Sequence, residues 1–97
     1  MKTRFLLPAR QELGETVRYY NTQLPRFGEE FRDEARETVR RIKELPEAWH
    51  ALGGSIRRCQ RRRFPYGIIY EASEDEIVII AIAHLHRKPD YWRSRVE

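Results

Sequence analysis

Along the first half of the chain the apolar positions recur at helical spacing. Lys2–Leu7 reads as a short first strand that stops at Pro8, a residue suited to the first turn of a following helix. Ala9, Leu13, Val17, Tyr20 and Leu24 then follow at steps of four, four, three and four, the stripe of an amphipathic helix. Pro25 ends it, because the residue before a proline disfavours the α region. Gly28 is placed to cap or turn into a second helix, with Glu29 and Glu30 near its positive end. That helix carries Phe27, Phe31, Ala35, Val39, Ile42 and Leu45 on one face and closes at Pro46. Its other face alternates in sign from Arg32 to Glu44, as a solvated helix does. So short a connection makes the two helices an antiparallel hairpin.

In the second half the pattern changes to that of strands. Glu47–Ser55 reads as a loop whose Ala48, Trp49 and Leu52 lie over the core, and Gly53-Gly54 turns the chain into a strand from about Ile56. In that strand Arg58, Gln60 and Arg62 share a side with Ile56, while Arg57, Cys59, Arg61 and Arg63 take the other. Neither face is apolar, which places the strand at or near an exposed face or edge. Tyr66–Tyr70 and Ile77–Ala83, separated by Ser73-Glu74-Asp75, read as a hairpin of two buried strands. By simple alternation His84 shares the side of Ile80 and Ile82. Asp90–Val96 holds at most a short helical segment, and Tyr91 and Trp92 are placed to fold back over an open sheet face. The expected fold is α+β in the order β-α-α-β-β-β, one domain over residues 1–97. A mostly antiparallel sheet carries the N-terminal helical hairpin on one face.

Composition narrows the partners. The 97 residues are 40% hydrophobic and 35% charged, ordinary for a chain with its own core, and carry a formal net charge of +4. The excess sits in residues 55–97, with nine Lys or Arg against six Asp or Glu. Sixteen of the 19 Lys and Arg residues are Arg, the side chain suited to bidentate contact with carboxylate or phosphate, so the partner should be anionic. The lone Cys59 forms no internal disulfide, as in a reducing cytosol. Phe5-Leu6-Leu7 is too short a core for a signal peptide, and no apolar run exceeds seven residues, which excludes a membrane-spanning helix. The expected location is the cytoplasm. His84-x-His86 alone is a weak ligand pattern, and neither a metal nor another cofactor is implied.

Two groups of residues carry candidate chemistry. Metal-free RNA cleavage needs a base for the 2′-hydroxyl, an acid for the leaving oxygen and a cation for the phosphorane. His84, His86, Arg87 and Tyr91 supply those types near one strand end, with Arg62 as a further cation. The blander reading makes His84 a hydrogen-bonded strand residue, His86-Arg87-Lys88 a solvated loop and Tyr91-Trp92 a hydrophobic lid. Arg57, Arg58, Arg61, Arg62 and Arg63 exceed the density that edge protection requires and read as a binding surface for the anionic partner. Tyr19, Tyr20, Trp49 and Trp92 are candidate docking positions beside them.

The ordered set of Tyr19-Tyr20, Pro46, Ile56-Arg57, the FPYGIIY stretch at Phe64–Tyr70, Ala83-His84 and Tyr91-Trp92 resembles the RelE/ParE superfamily of bacterial toxins, from Thr3 to Arg95. The resemblance implies a toxin of a type II toxin–antitoxin (plasmid stabilisation) system, neutralised by a cognate antitoxin. RelE-like members cleave mRNA on the ribosome without a metal, and ParE-like members inhibit DNA gyrase. Where RelE-like members place a transition-state arginine in a strand, this chain has Gly67, between Tyr66 and Ile68. Glycine offers neither cation nor donor to a phosphorane. The stretch therefore looks more like ParE, with gyrase as the implied target. The alternatives are a ribosome-dependent mRNA endonuclease using His84, His86, Arg87 and Tyr91, and a basic nucleic-acid-binding domain whose affinity falls steeply with salt.

Overall fold

Prolines set the helix ends in the computed structural model, which describes residues 1–97. Strand β1, Lys2–Phe5, leads into helix α1, Leu7–Gln23, and Pro8 lies in its first turn, where the missing N–H forfeits no helical bond. Leu24, ahead of Pro25, is extended (φ −158°, ψ 133°) and swings out of the apolar stripe to 55% exposure. Leu45, ahead of Pro46, leaves its helix in the same way.

Helix α2 spans Phe27–Glu44 and is entered through Arg26 in the left-handed region (φ 67°), so the turn falls there and not at Gly28. Gly28 is instead the crossing point of the two helices. Its N–H donates to Asn21 Oδ1 at 2.7 Å, and a Cβ there would lie 2.1 Å from the Val17 carbonyl oxygen. The most buried positions of α2 are Phe31, Thr38 and Ile42, with Ala35 and Val39 only half-buried. Thr38 can stand in the core because its hydroxyl donates to the Glu34 carbonyl at 2.8 Å.

Strands β2 (His50–Gly53), β3 (Ile56–Gln60), β4 (Tyr66–Ala72) and β5 (Glu76–His84) complete a five-stranded sheet in the order β1-β5-β4-β3-β2. β1 runs parallel to β5 and every other pair is antiparallel. The α+β class, the mostly antiparallel sheet and the helical hairpin are as the sequence predicts, with one added strand. The stretch read as a loop at 47–55 pairs over His50–Gly53 with β3, so β3 lies one strand in from the edge. His-Ala-Leu-Gly has no β-branched residue to signal a strand. Its lead-in is held by long-range bonds, the Tyr70 hydroxyl donating to the Pro46 carbonyl and Arg57 Nη1 to the Trp49 carbonyl at 2.9 Å.

A bulge divides the core. Ile69 pairs with Ala81 but Tyr70 pairs with Ile79, so β5 spends one extra residue at Ile80. The alternation is broken there: Ile77, Ile79 and Ile82 face the helices, whereas Ile80, Ala81 and Ala83 face the opposite side. His84 thus shares the side of Ile82 and not that of Ile80. On the helix side Ile79, Ile68 and Tyr70 pack with Val17, Phe31 and Ile42. On the far side Ile56, Ile69, Ile80, Ala81 and Ala83 are covered by Trp92, only 3% exposed, from the returning C-terminal segment.

Gly28→Ala should lower stability by about 3 kcal/mol, because the methyl group meets backbone rather than a movable side chain. Urea unfolding monitored by circular dichroism reads this directly; an unchanged midpoint would mean that the helices do not cross at Gly28.

Candidate functional site

The far face of the sheet becomes a site because the chain turns back after β5. Asp90 adopts a left-handed conformation (φ 63°) after Pro89, and a 3-10 turn at Arg93–Arg95 follows. Glu12, in the second turn of α1, fixes this return. Its carboxylate accepts from both Arg95 Nη1 and Nη2 at 2.9 Å, from the Tyr91 hydroxyl at 2.7 Å and from the Ile82 N–H at 3.0 Å. Arg95 Nη1 also donates to the Ile80 carbonyl at 3.0 Å. Burial pushes the Glu12 carboxyl up, but the bonds from Arg95, Tyr91 and Ile82 outweigh it and hold it below the ordinary value. Burial and the bond to Glu12 push the Tyr91 hydroxyl well above its ordinary range.

Between this segment and the sheet lies a cavity of about 200 Å³. Its walls include Leu52, Ile69, Ala83 and Trp92, and the polar residues lining it are Arg58, His84, Arg87, Lys88, Asp90 and Tyr91. Asp90 is occupied by Arg93, whose Nε lies 3.2 Å from its Oδ1. Arg58, Arg87 and Lys88 take part in none of the chain's ion pairs. Arg58 reaches the cavity by lying across Gly67: a Cβ at position 67 would stand 2.9 Å from its Cγ and Cδ. The buried Nε of Arg58 has no hydrogen-bond partner in the protein. Gly67, read from the sequence as the loss of a cation, is the seat of a cation from the neighbouring strand.

Of the nuclease candidates His84, Arg87 and Tyr91 line this cavity, while exposed His86 lies outside its lining, 5.1 Å ring to ring from His84, and most are engaged. His84 Nδ1 accepts the His86 N–H at 3.0 Å, and its ring sits edge-on to Tyr66 at 4.9 Å. Arg87 lies over the Tyr91 ring at 3.9 Å from its centroid. The Tyr91 phenol is committed to Glu12.

Strand alternation separates only Arg57 and Arg58, since β3 ends at Gln60. Arg57 donates to the Trp49 carbonyl, while Arg61 and exposed Arg63, beyond the strand, pair with Glu34 at 3.5 Å and with Glu30 of α2. Arg58 and Arg62 have no such pair, and Arg62 is exposed on the surface. Of the docking candidates, Tyr19 is 56% exposed, Tyr20 belongs to an aromatic cluster with Phe27, Phe31 and Phe64, Trp49 is half-buried and Trp92 is buried. Cys59 is buried and its thiol is pushed up to about 11, so it is no nucleophile at neutral pH. No cluster of three or more His, Cys, Asp or Glu side chains offers a metal a site. Neither Glu12 nor Arg95 stands out in the sequence, because their partners are 70 to 83 residues away.

Residues 4–89 match the family model described as the ParE toxin of the type II toxin–antitoxin system parDE. No curated protein sequence matches the chain. A solved structure titled as the chromosomal ParDE TA system from P. aeruginosa superposes with a TM-score of 0.64 at 17% identity, over 87% of this chain and 95% of that one. At that identity the likeness is one of fold.

Glu12→Gln should destabilise the chain by about 3 kcal/mol near neutral pH, since it leaves the Arg95 guanidinium, with 17% of its side chain exposed, short of a charge partner. The folded-state pKa of Glu12 is depressed, so its contribution is complete above the ordinary value of 4.5 and fades as pH falls through the lower folded value. The gap between thermal melts of wild type and variant should therefore begin to narrow below about pH 4.5 and close as pH falls past the lower folded value. A gap that stays constant with pH would show that Glu12 is not the group that titrates.

Proposed function

The chain belongs to the ParE toxin family of type II toxin–antitoxin systems, and on that premise we propose that it arrests growth by binding DNA gyrase through protein–protein contact and is neutralised by a cognate antitoxin. Its place of action is the cytoplasm, and its role is that of a plasmid-stabilisation toxin. The observation that carries the reading against a nuclease is the commitment of the acid–base groups. Tyr91 is tied to Glu12 and raised in pKa, and His84 Nδ1 already accepts a backbone N–H. A hydroxyl held that way is a poor proton donor or acceptor for a substrate at neutral pH. The unpaired cations of the far face and the exposed Arg62 suit an acidic protein surface. A second concave surface, of about 310 Å³ between β1 and the helices, has Phe5, Leu13, Ala35 and Val39 as its floor and Arg32 and Arg36 on its rim. It suits an antitoxin segment that alternates apolar and acidic residues.

One observation favours the second reading, a metal-free mRNA endonuclease on the ribosome. Arg58 brings over Gly67 the charge that a phosphorane would need. In that case His84, Arg87 and Tyr91 would line the reacting phosphate, with His86 next to His84.

The purified chain should inhibit gyrase supercoiling and leave mRNA intact on translating ribosomes. Cleavage at codon boundaries without gyrase inhibition would reverse the order of the two readings, and would make His84 and Arg58 the residues to replace.

A further inference from the structure

We propose that the cavity under the C-terminal segment is a seat for a single carboxylate, an acidic side chain of a protein partner, with Arg58 as its principal ligand. The proposal rests on the toxin reading only in drawing its occupant from a protein. Three cations, Arg58, Arg87 and Lys88, line one cavity without an ion-pair partner, and the only carboxylate among its walls is already met by Arg93. Three cations sharing a partly enclosed space repel one another, and the arrangement is stabilised by an anion between them. Arg58 forms no ion pair within the protein, and a guanidinium fork is shaped for the two oxygens of a carboxylate. The cavity volume of about 200 Å³ suits one side chain, whose methylenes would lie against Leu52, Ile69 and Trp92.

Geometry selects a carboxylate over a nucleotide phosphate. Single-stranded nucleic acid is held largely by bases stacking on free aromatic faces. Of the aromatic residues at this cavity, Tyr91 and Trp92 already carry guanidinium groups, and the His84 ring is packed at right angles to Tyr66, 4.9 Å between centroids. Arg87 and Arg95 lie 3.9 and 5.1 Å from the Tyr91 centroid, and Arg93 lies 4.4 Å from that of Trp92. Trp92 is otherwise buried against the sheet.

Gly67 gives the proposal its test. A methyl group at position 67 would stand 2.9 Å from the Arg58 stem and push that side chain aside without altering the protein's charge. Hexaglutamate and hexathymidylate serve as probes, each titrated at low salt while the indole N–H resonances of Trp92 and Trp49 are followed by NMR. Hexaglutamate should bind and move the Trp92 signal, which reports the cavity, and leave that of Trp49, which lies outside it. Arg58→Ala and Gly67→Ala should each weaken this binding about tenfold, the loss of one charge-assisted bidentate contact. Arg18→Ala, which removes an exposed arginine of α1, should change it less than about twofold. Arg58→Lys, with a point charge in place of the fork, should fall between. Melting curves identify any variant that does not fold, and Gly67→Ala and Arg58→Lys then decide the matter.

Equal losses for Arg58→Ala and Arg18→Ala, or full binding by Gly67→Ala, would overturn the proposal. So would tighter binding of hexathymidylate at the Trp92 signal, which would make the cavity a nucleic-acid site. The titration does not involve gyrase. A chain that binds hexaglutamate through Arg58 yet leaves gyrase active retains the carboxylate seat and loses only its assigned target.

Discussion

The structure depends on one carboxylate because two neighbouring strands differ in length. β1 has four residues and β5 has nine, so the outer edge of β5 runs on without a partner once β1 has ended. An open edge leaves unpaired backbone groups and invites pairing with other chains. Glu12 and Arg95 close it with side chains, one accepting from the Ile82 N–H and the other donating to the Ile80 carbonyl. Because Arg95 and Tyr91 converge on the same carboxylate, edge protection also ties down the C-terminal segment. That segment delivers Trp92 to the far face, which gives the sheet a second small core and roofs the cavity beneath it.

The bulge at Ile80 works with the same device. The extra residue places two successive positions, Ile80 and Ala81, on the far side, where Trp92 covers them. Without it a strict alternation would turn Ile80 and Ile82 to one side together. The helix side would then lose Ile82 and the far side would lose Ala81 and Ala83.

The arginines show how one dense charge cluster is divided between paired and unpaired cations. Successive residues of a strand point to opposite faces. Within β3 Arg57 therefore meets the Trp49 carbonyl while Arg58 goes to the other face with no carboxylate to meet, and Arg61 and Arg63, past the strand's end, pair with the glutamates of α2. The exposed ion pairs among them are individually weak. Their consequence is that the internal acids are used up on one side, so the positive charge left over is concentrated on the other. Gly67 completes the division by leaving room for the Arg58 stem where any other side chain would stand.

The sequence by itself determined the elements and their class. Apolar residues at steps of three and four placed both helices, prolines placed their ends, and β-branched runs placed β4 and β5. The ordered set of local features around Phe64–Tyr70 and Ala83-His84 was enough to indicate the family. These signals are local, carried by neighbours within about two helical turns or one strand. Only the tertiary structure decided the rest. The β2 pairing, the bulge, the choice of Thr38 over Val39 for the core, the Glu12 bridge and the path of Arg58 across Gly67 all depend on partners from other elements. His84, His86, Arg87 and Tyr91 were legible as a cluster because they are close in the chain; their engagement with one another and with Glu12 was not. A glycine in sequence marks only the absence of a side chain, and what occupies the space it leaves is settled by the neighbouring strand.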